Sequence, residues 1–239
     1  MSDGRVTGIG VGPGDPELLT LKGARLIAEA DVIAYPQAPD RESFARAIVS
    51  DRLGHATELP IIVPMETERH PAASVYDEAA DRIVDHVRQG RSVVVLCEGD
   101  PFFYGSFMYL FARLATCATV VVVPGVSSFT AAAAAIPRPL ASRNETLSVV
   151  SAAGSIEVIE AALERSESVS ILKLGRHLPK VRALLTRLGL TDRAYYCERV
   201  TLAEQRVERL DRLDDVAAPY FSLINVYRGA EPAIVDTSI

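Results

Sequence analysis

The chain has 239 residues, of which 49% are hydrophobic and 23% charged, a composition typical of compact globular proteins that excludes disordered, collagen-like and coiled-coil classes. Its 25 basic and 31 acidic side chains give a formal net charge of −6, which argues against nucleic acid as the principal partner. Cys97, Cys117 and Cys197 form no C-x-x-C pair and leave an odd number, so disulfides are not expected.

The first half of the chain predicts alternating strands and helices. Asp15 followed by Pro16 predicts a helix start, since aspartate is a favoured N-cap and proline is favoured at the first helical position. Apolar residues at every fourth position from Val75 to Val87 place one helix face on a core. Predicted strands occupy residues 5–11, 32–35, 92–97 and 120–123, and predicted helices occupy residues 15–30, 42–53 and 75–89.

The alternation begins again after Pro124 and Gly125. Predicted helices occupy residues 128–136, 156–164 and 179–188, and predicted strands occupy residues 147–151, 169–174, 193–197 and 221–227. So many strands exceed the roughly 4 to 6 that an open sheet usually holds, which favours two domains. We therefore predict an α/β fold with two α/β domains, residues 1–124 and 125–239, containing mixed, mostly parallel sheets.

A glycine-rich turn, with glycines at positions 8, 10, 12 and 14, connects the first predicted strand to the first predicted helix. The dinucleotide fingerprint G-x-G-x-x-G does not fit this turn, because a match from Gly8 meets Pro13 and a match from Gly10 meets Asp15. Asp31 lies at a suitable distance for binding a ribose, but an acidic residue that opens the next strand explains it better. By itself the turn is a weak indication of a site.

Two loops that follow predicted buried strands offer further site residues, since α/β proteins bind ligands at the carboxyl ends of their strands. The loop 98–105 is the first of these, although Asp100 followed by proline also suits a tight turn that starts a helix. The loop 124–128 is the second, and Ser127 or Ser128 there suits N-capping as well as ligand binding. Capping and binding are compatible roles.

Other signals are absent from the sequence. There is no G-x-S-x-G elbow or P-loop, which weakens acyl-transfer and nucleotide-hydrolysis interpretations. The four histidines are scattered and form no metal-ligating cluster with the cysteines, so no metal site is predicted. No apolar run approaches the roughly 20 residues that span a bilayer, and the N-terminus lacks a signal peptide. We therefore expect a cytoplasmic protein with no membrane partner.

Taken together, these motifs resemble the tetrapyrrole methylase family. The resemblance is carried in order by residues 10–23, 99–105 and 124–128 and covers nearly the whole chain. Residues 30–36, 97–110 and 172–176 are most similar to the members that methylate C20 of precorrin-2, giving precorrin-3A in cobalamin (vitamin B12) biosynthesis. Uroporphyrinogen-III methylases typically have an acidic residue where this chain has Pro36, so that activity is less expected.

The resemblance implies two α/β domains with S-adenosylmethionine bound in a cleft between them, and a homodimer. It gives the cofactor-binding residues Pro13, Glu98, Gly99, Asp100, Phe103, Ser127, Ser128 and Leu174. Many relatives have methionine at the last of these positions. A further cofactor contact is expected from the segment 198–200.

The expected substrate is a reduced tetrapyrrole that supplies its own carbon nucleophile, so no activated serine or cysteine is required. Its acetate and propionate groups call for cationic partners, and the arginines near the expected cleft are Arg138, Arg143, Arg176 and Arg199. Each of these arginines also suits a solvated surface position. Tyr104 and Glu98 have the chemistry for proton transfer, and the sequence does not choose between them.

Alternative interpretations remain at this stage. One is a methylase of the same fold that acts on cobalt-factor II or on another corrin position. Two belong to other classes: a nicotinamide-dependent dehydrogenase with an aberrant glycine loop, and a ligand-binding module without catalysis. The choice of cofactor separates the dehydrogenase, and cofactor retention without turnover separates the binding module.

Overall fold

A computed structural model describes residues 4–63, 70–136, 138–214 and 217–229. The chain divides into two compact units, Met1–Ser127 and Ser128–Ile239, and each contains a five-stranded sheet. The α/β fold class is confirmed. The domain boundary expected at residue 124 lies close to this division. In the described part of the chain, no helix combines the length and apolar character needed to cross a membrane.

The first unit contains a parallel sheet with the strand order β3-β2-β4-β1-β5. Its strands are β1 (Val6–Gly10), β2 (Val32–Gln37), β3 (Thr57–Ile62), β4 (Val93–Cys97) and β5 (Val120–Val123). Its helices are α1 (Leu21–Ala28), α2 (Phe44–Ile48), α3 (His70–Arg88) and α4 (Phe107–Leu114). β1 therefore lies between β4 and β5.

Each face of this sheet has its own apolar core. Val93 and Val95 of β4 pack in the core that includes α3 and α4. Val94 and Leu96 pack in the core that includes α1 and α2. Because successive strand residues point to opposite faces, a strand covered on both faces needs an unbroken apolar run. This explains the continuous apolar sequence of β4.

The helix predicted over 15–30 is interrupted in the structure. Asp15 caps a short 3-10 helix, Pro16–Leu18, by accepting a hydrogen bond from Glu17 N at 2.8 Å. Thr20 is extended, with φ −66° and ψ 146°, and its hydroxyl oxygen accepts from Gly23 N at 3.0 Å. A second N-cap therefore starts α1 separately, because a capping residue has non-helical backbone angles.

The second unit contains a mixed sheet with the order β6-β7-β10-β8-β9. Its strands are β6 (Leu147–Ser151), β7 (Ser168–Leu172), β8 (Ala194–Glu198), β9 (Arg206–Arg209) and β10 (Ser222–Tyr227), and its helices are α5 (Ser128–Ala135), α6 (Ile156–Arg165) and α7 (Leu178–Arg187). β6 and β7 are parallel. β10 is antiparallel to both β7 and β8, and β9 is antiparallel to β8.

One face of the second sheet packs on α6 and α7, where Val169, Tyr196 and Ile224 join the core. The other face carries polar groups that are satisfied internally. The Ser170 hydroxyl donates to Asn225 Oδ1 at 2.7 Å, and Asn225 Nδ2 donates to a carbonyl of α5 at 3.4 Å. Since buried polar groups without partners are destabilising, these bonds allow α5 to cover this face.

Candidate cofactor and substrate site

The carboxyl edge of the first sheet brings three loops together. β1 pairs with β4 on one side, with Gly10 beside Cys97, and with β5 on the other. The loops 11–15, 98–106 and 124–127 follow these parallel strands and therefore begin side by side. All three contain residues that the family resemblance predicts to bind the cofactor.

Glycines let the main chains of these loops touch. Gly99 N donates to Gly12 O at 2.8 Å, and Gly12 N donates to Gly99 O at 3.3 Å. Their φ angles of 63° and 81° suit glycine, which lacks a Cβ. A Cβ on Gly10 would lie 2.5 Å from Gly99 O, and one on Gly125 would lie 2.1 Å from the same oxygen. Only glycine fits at these contacts, because the neighbouring atoms belong to the backbone.

Asp100 joins two of these loops. Its Oδ2 accepts a hydrogen bond from Gly125 N at 3.0 Å, and its Oδ1 accepts one from Phe102 N at 2.9 Å. The first bond ties the loop after β4 to the loop after β5, and the second stabilises the turn. No helix starts at Asp100 and Pro101, where the sequence also suited one, because α4 begins only at Phe107.

The loop after β4 also presents aromatic side chains. Phe102 is 51% exposed and Tyr104 is 43% exposed, and the Phe103 ring meets the Tyr104 ring edge to face with centroids 5.1 Å apart. Tyr104 has a φ of 54°, a conformation that costs a non-glycine residue about 1–3 kcal/mol. Strain of this kind concentrates at functional sites, so Tyr104 stays a candidate site residue.

Glu98, at the start of the same loop, is half-buried and interacts electrostatically with Tyr76 of α3. Burial raises the pKa of Tyr76, a hydrogen bond with Ser106 opposes the rise, and the charges of Tyr109 and Glu98 add to it. Tyr76 therefore keeps its proton at neutral pH. Sequence reasoning missed this residue, because only the fold brings α3 to the loop after β4.

The remaining predicted cofactor residues divide between the units. Pro13 and Ser127 are half-buried in the first, and Ser128, the first residue of α5, lies in the second. Leu174 also lies in the second unit, completely buried in the core beside α7. Since its side chain is not exposed, a contact with a cofactor there falls to the main chain, where Leu174 N already donates to Ser222 O at 3.2 Å.

Two of the predicted substrate arginines lie at the carboxyl ends of β7 and β8. Arg176 belongs to a 3-10 helix, Gly175–His177, after β7, and Arg199 directly follows β8; both are exposed. Burial, with the charges of Lys180 and Arg176, lowers the pKa of His177. The positive charge at this edge therefore resides on arginine and lysine side chains.

The other two arginines lie near the opposite edge of the same sheet. The Arg138 guanidinium is 5.7 Å from the ring centroid of Tyr195 and 5.2 Å from that of Tyr227. Arg143 is two residues from Glu145, which accepts a hydrogen bond from the Tyr227 hydroxyl at 2.6 Å. The six residues of β10 separate the edges by about 17 Å, so the structure does not gather the four arginines around one group.

Two cysteines are buried in the sheets. Cys97 ends β4 and Cys197 lies in β8. Burial raises the pKa of Cys97 well above its usual value and raises the pKa of Cys197 to about 12. Both thiols are therefore neutral at physiological pH, and neither has the thiolate character that a nucleophile needs.

Comparison with known proteins identifies the family. The sequence profile described as Tetrapyrrole (Corrin/Porphyrin) Methylases matches residues 5–215. This chain is a tetrapyrrole methylase family member. The match covers all five strands of the first sheet and β6 to β9 of the second, and it includes all three glycine-containing loops of the first unit.

Curated relatives resemble this family member over nearly its full length. The cobalamin biosynthesis protein CobIJ of Mycobacterium tuberculosis is 39% identical over 99% of this chain, which covers 48% of that protein. The chain thus spans about half the length of that relative. The precorrin-2 C(20)-methyltransferase of a Sinorhizobium species is 38% identical, with 93% of this chain and 95% of that protein covered. The cobalt-precorrin-2 C(20)-methyltransferase of Salmonella typhimurium is 31% identical, with 97% and 99% covered.

A solved structure shows the same fold. The uroporphyrin-III C-methyl transferase of Thermus thermophilus, complexed with S-adenyl homocysteine, matches with a TM-score of 0.67 and 27% identity. The match covers 94% of this chain and 97% of that one. That complex contains the product that S-adenosylmethionine leaves after donating its methyl group.

Proposed function

We propose that this chain is an S-adenosylmethionine-dependent methyltransferase that methylates C20 of precorrin-2 in cobalamin biosynthesis. One observation carries the proposal. Over more than nine-tenths of the chain, it is 38% and 31% identical to two relatives named for methyl transfer to C20 of this ring system. Family membership supports the methyl donor, and the alternative of a nicotinamide-dependent dehydrogenase has no support from these relatives.

The residues at the carboxyl edge of the first sheet fit the cofactor. Because Gly10, Gly99 and Gly125 lack side chains, the three loops pack main chain against main chain, which brings the candidate cofactor residues that they carry side by side. Glu98 offers a negative charge that suits a sulfonium, and Asp100 holds the loop that carries Phe103. S-adenosylmethionine supplies an electrophilic methyl group when bound. Pro13 and Ser127 are the further residues of this unit that we assign to its binding.

The chain's own residues then bind, orient and deprotonate the substrate. Arg176 and Arg199, at the carboxyl ends of β7 and β8, are assigned to the acetate and propionate groups of the macrocycle, since guanidinium pairs well with carboxylate. Arg138 and Arg143 lie at the opposite end of these strands and are left out of this assignment. The aromatic side chains of the loop after β4 exclude water around the reacting carbon. The carboxylate of Glu98 accepts the proton that leaves C20, directly or through the Tyr104 hydroxyl, which passes one proton on as it takes another, and positioning supplies much of the acceleration. The buried thiols take no part.

Product mass after an anaerobic reaction tests the proposal. The pure protein is incubated with S-adenosylmethionine and either metal-free precorrin-2 or cobalt-factor II. A gain of one methyl group on the metal-free ring is expected, and NMR of the product should place it on C20. Retention of S-adenosylmethionine without methylation of either ring would contradict the proposed reaction and favour a binding module.

The cobalt-loaded ring is the second candidate substrate, because one relative is named for cobalt-precorrin-2. A metal chelated by the ring needs no protein ligand, so the same site suits both substrates. Methylation of cobalt-factor II alone would assign the chain to that reaction. We also propose a cytoplasmic homodimer, as the family resemblance implies, and light scattering of the purified protein measures that assembly.

A further inference from the structure

β7, β8 and β10 build a distinct edge in the second unit. β7 and β8 are both antiparallel to β10, and Leu172 and Cys197 both pair with Leu223. The carboxyl ends of β7 and β8 therefore flank the start of β10. Two cations, Lys173 and Arg199, follow these strand ends directly, about 10 Å apart by two strand spacings.

An aromatic pair occupies the space between these cations. Tyr220 and Phe221 precede β10, are 51% and 45% exposed, and meet edge to face with ring centroids 5.3 Å apart. The Lys173 Nζ lies 5.8 Å from the Tyr220 ring centroid. Arg199 N donates to Phe221 O at 3.1 Å. Lys173 therefore contacts this aromatic segment through its ammonium group, and Arg199 contacts it through a backbone hydrogen bond.

The backbone at this edge is strained. Lys173, Arg199 and Thr201 have φ angles of 58°, 50° and 73°. These are three of the five non-glycine residues with positive φ in the described parts of the chain. Glycine would adopt this conformation without the cost of a Cβ. Long cationic side chains at two such positions are therefore best explained by what those side chains bind.

The nearby acidic group is engaged elsewhere. Glu198, the last residue of β8, accepts a hydrogen bond from the hydroxyl of Tyr196, which lies in the core beneath the sheet. Arg206 stands opposite Glu198 in the β8–β9 ladder. The Glu198 carboxylate therefore has a hydrogen-bond donor in Tyr196, while the guanidinium of Arg206 pairs with Glu208 of its own strand. The edge keeps a positive character in a chain whose net charge is −6.

We propose that this edge of the second unit binds two separate carboxylates of the tetrapyrrole, one at Lys173 and one at Arg199, with Tyr220 and Phe221 contacting the ring. The inference rests on the proposed function and adds Lys173, Tyr220 and Phe221 to the substrate residues. The backbones of these two residues are about 10 Å apart, so their side chains can reach two different carboxylates of a ligand that carries several. A macrocycle with several acidic arms and flat apolar faces matches both features of this edge.

Porphyrin binding tests this proposal independently of turnover. The probe is uroporphyrin III, a fluorescent tetrapyrrole with eight carboxylates, titrated into the full chain and into variants. Lys173→Met and Arg199→Met are each expected to weaken binding about 5-fold, and the double variant about 25-fold, since separate ion pairs contribute additively. Lys173→Arg should restore affinity. The affinity of the Lys173→Met variant for S-adenosylhomocysteine, measured by calorimetry, should stay unchanged.

Arg165→Met is the matched control, because Arg165 is an exposed cation at the far end of α6. An equal loss of porphyrin affinity in this variant would show that the affinity depends only on the net charge of the protein, and it would overturn the proposal. A loss of S-adenosylhomocysteine affinity in Lys173→Met, with porphyrin binding intact, would assign the edge to the cofactor's carboxylate instead. Porphyrin affinity unchanged in both single variants also overturns it. Failure of the wild-type methylation assay, by contrast, would overturn the proposed reaction only.

Discussion

Asp100 shows how a single side chain organises the carboxyl edge of the first sheet. Both of its carboxylate oxygens accept backbone hydrogen bonds, one within its own loop and one from the loop after β5. Since the bonds arrange surface loops and not a core, their loss should affect ligand binding more than folding.

Asp100→Ala is therefore expected to weaken S-adenosylhomocysteine binding at least about 10-fold, the equivalent of 1.4 kcal/mol, with a smaller change in the free energy of unfolding. Asp100→Asn keeps one acceptor oxygen, so its affinity for S-adenosylhomocysteine should lie between those of the wild type and Asp100→Ala. Calorimetric titration and thermal melting measure the two effects. The control is Asp51→Ala, which alters an exposed carboxylate in a 3-10 helix. Wild-type affinity in Asp100→Ala at an unchanged melting temperature would remove Asp100 from the site.

The residues of the site differ in how far sequence could predict them. Gly99, Asp100 and Ser127 lie in contiguous motifs directly after strands, so the sequence alone was enough to match them to the motifs of a family. Lys173 and Tyr220 meet only because β7 and β10 are paired, and no local pattern predicts a pairing between segments so distant in sequence. The sequence also could not predict that Leu174 is buried, since a residue that follows a strand can face either the core or a ligand.

At the scale of elements, a polar clamp joins α2 to the edge strand β3. Arg46 donates to both carboxylate oxygens of Glu58, at 2.5 Å and 2.9 Å, and the Tyr35 hydroxyl donates to Glu58 at 2.7 Å. The hydrogen bonds from Arg46, followed by that from Tyr35, lower the pKa of Glu58. A carboxyl group with a lowered pKa stabilises the fold above its unfolded pKa, and this stability is lost as the pH falls through the folded value.

Glu58→Gln is expected to reduce the free energy of unfolding by up to about 1 kcal/mol at neutral pH, because the pair is partly exposed to solvent. The difference between the variant and the wild type should shrink as the pH falls through the lowered folded pKa of Glu58, because the carboxyl group then becomes protonated in the folded chain as well. Urea unfolding at neutral pH and at a series of acidic pH values measures this. Glu29→Gln, which breaks an exposed pair with Arg25 on α1, should change stability less. A difference that grows in acid would contradict the assigned role.

Elements with strong apolar patterns were predicted well, and weakly patterned edge elements were not. The continuous apolar run predicted as a strand at 92–97 is the interior strand β4 (Val93–Cys97). β3 was missed because it contains Pro60 and begins with exposed Thr57 and Glu58, a composition that only an edge strand accommodates. β9 was missed because it has only four residues, three of which are charged. The first helix is split at Thr20, which caps α1 separately, whereas the helix start at Asp15 and Pro16 suggested one continuous helix.

At the scale of the whole molecule, each unit has a sheet and a core of its own. The second core surrounds Leu163, Leu184 and Ile224, all buried, while the first unit has cores on both faces of its sheet. Two separate cores support our proposal that residues 1–124 and 125–239 form domains, since a domain is a unit with its own apolar interior.

Leu163→Ala is expected to destabilise the second unit by about 2–5 kcal/mol, because it leaves a cavity at a fully buried position. Hydrogen exchange followed by mass spectrometry should show faster exchange in peptides of β6, β7 and β10. The control on the same helix is Val158→Ala, since Val158 is 57% exposed and should leave exchange unchanged. An equal increase in β1 and β4 would show that the chain unfolds as one cooperative unit and would contradict two domains.

The burial of two of the three cysteines also determines how the native protein reacts with alkylating reagents. Cys97 and Cys197 are held as neutral thiols inside the sheets, while Cys117, just beyond α4, is exposed. A maleimide fluorophore therefore attaches at a single position of the folded chain without any engineered substitution. That position gives a spectroscopic reporter in the first unit, on which ligand titrations can be followed without radioactive methyl donors.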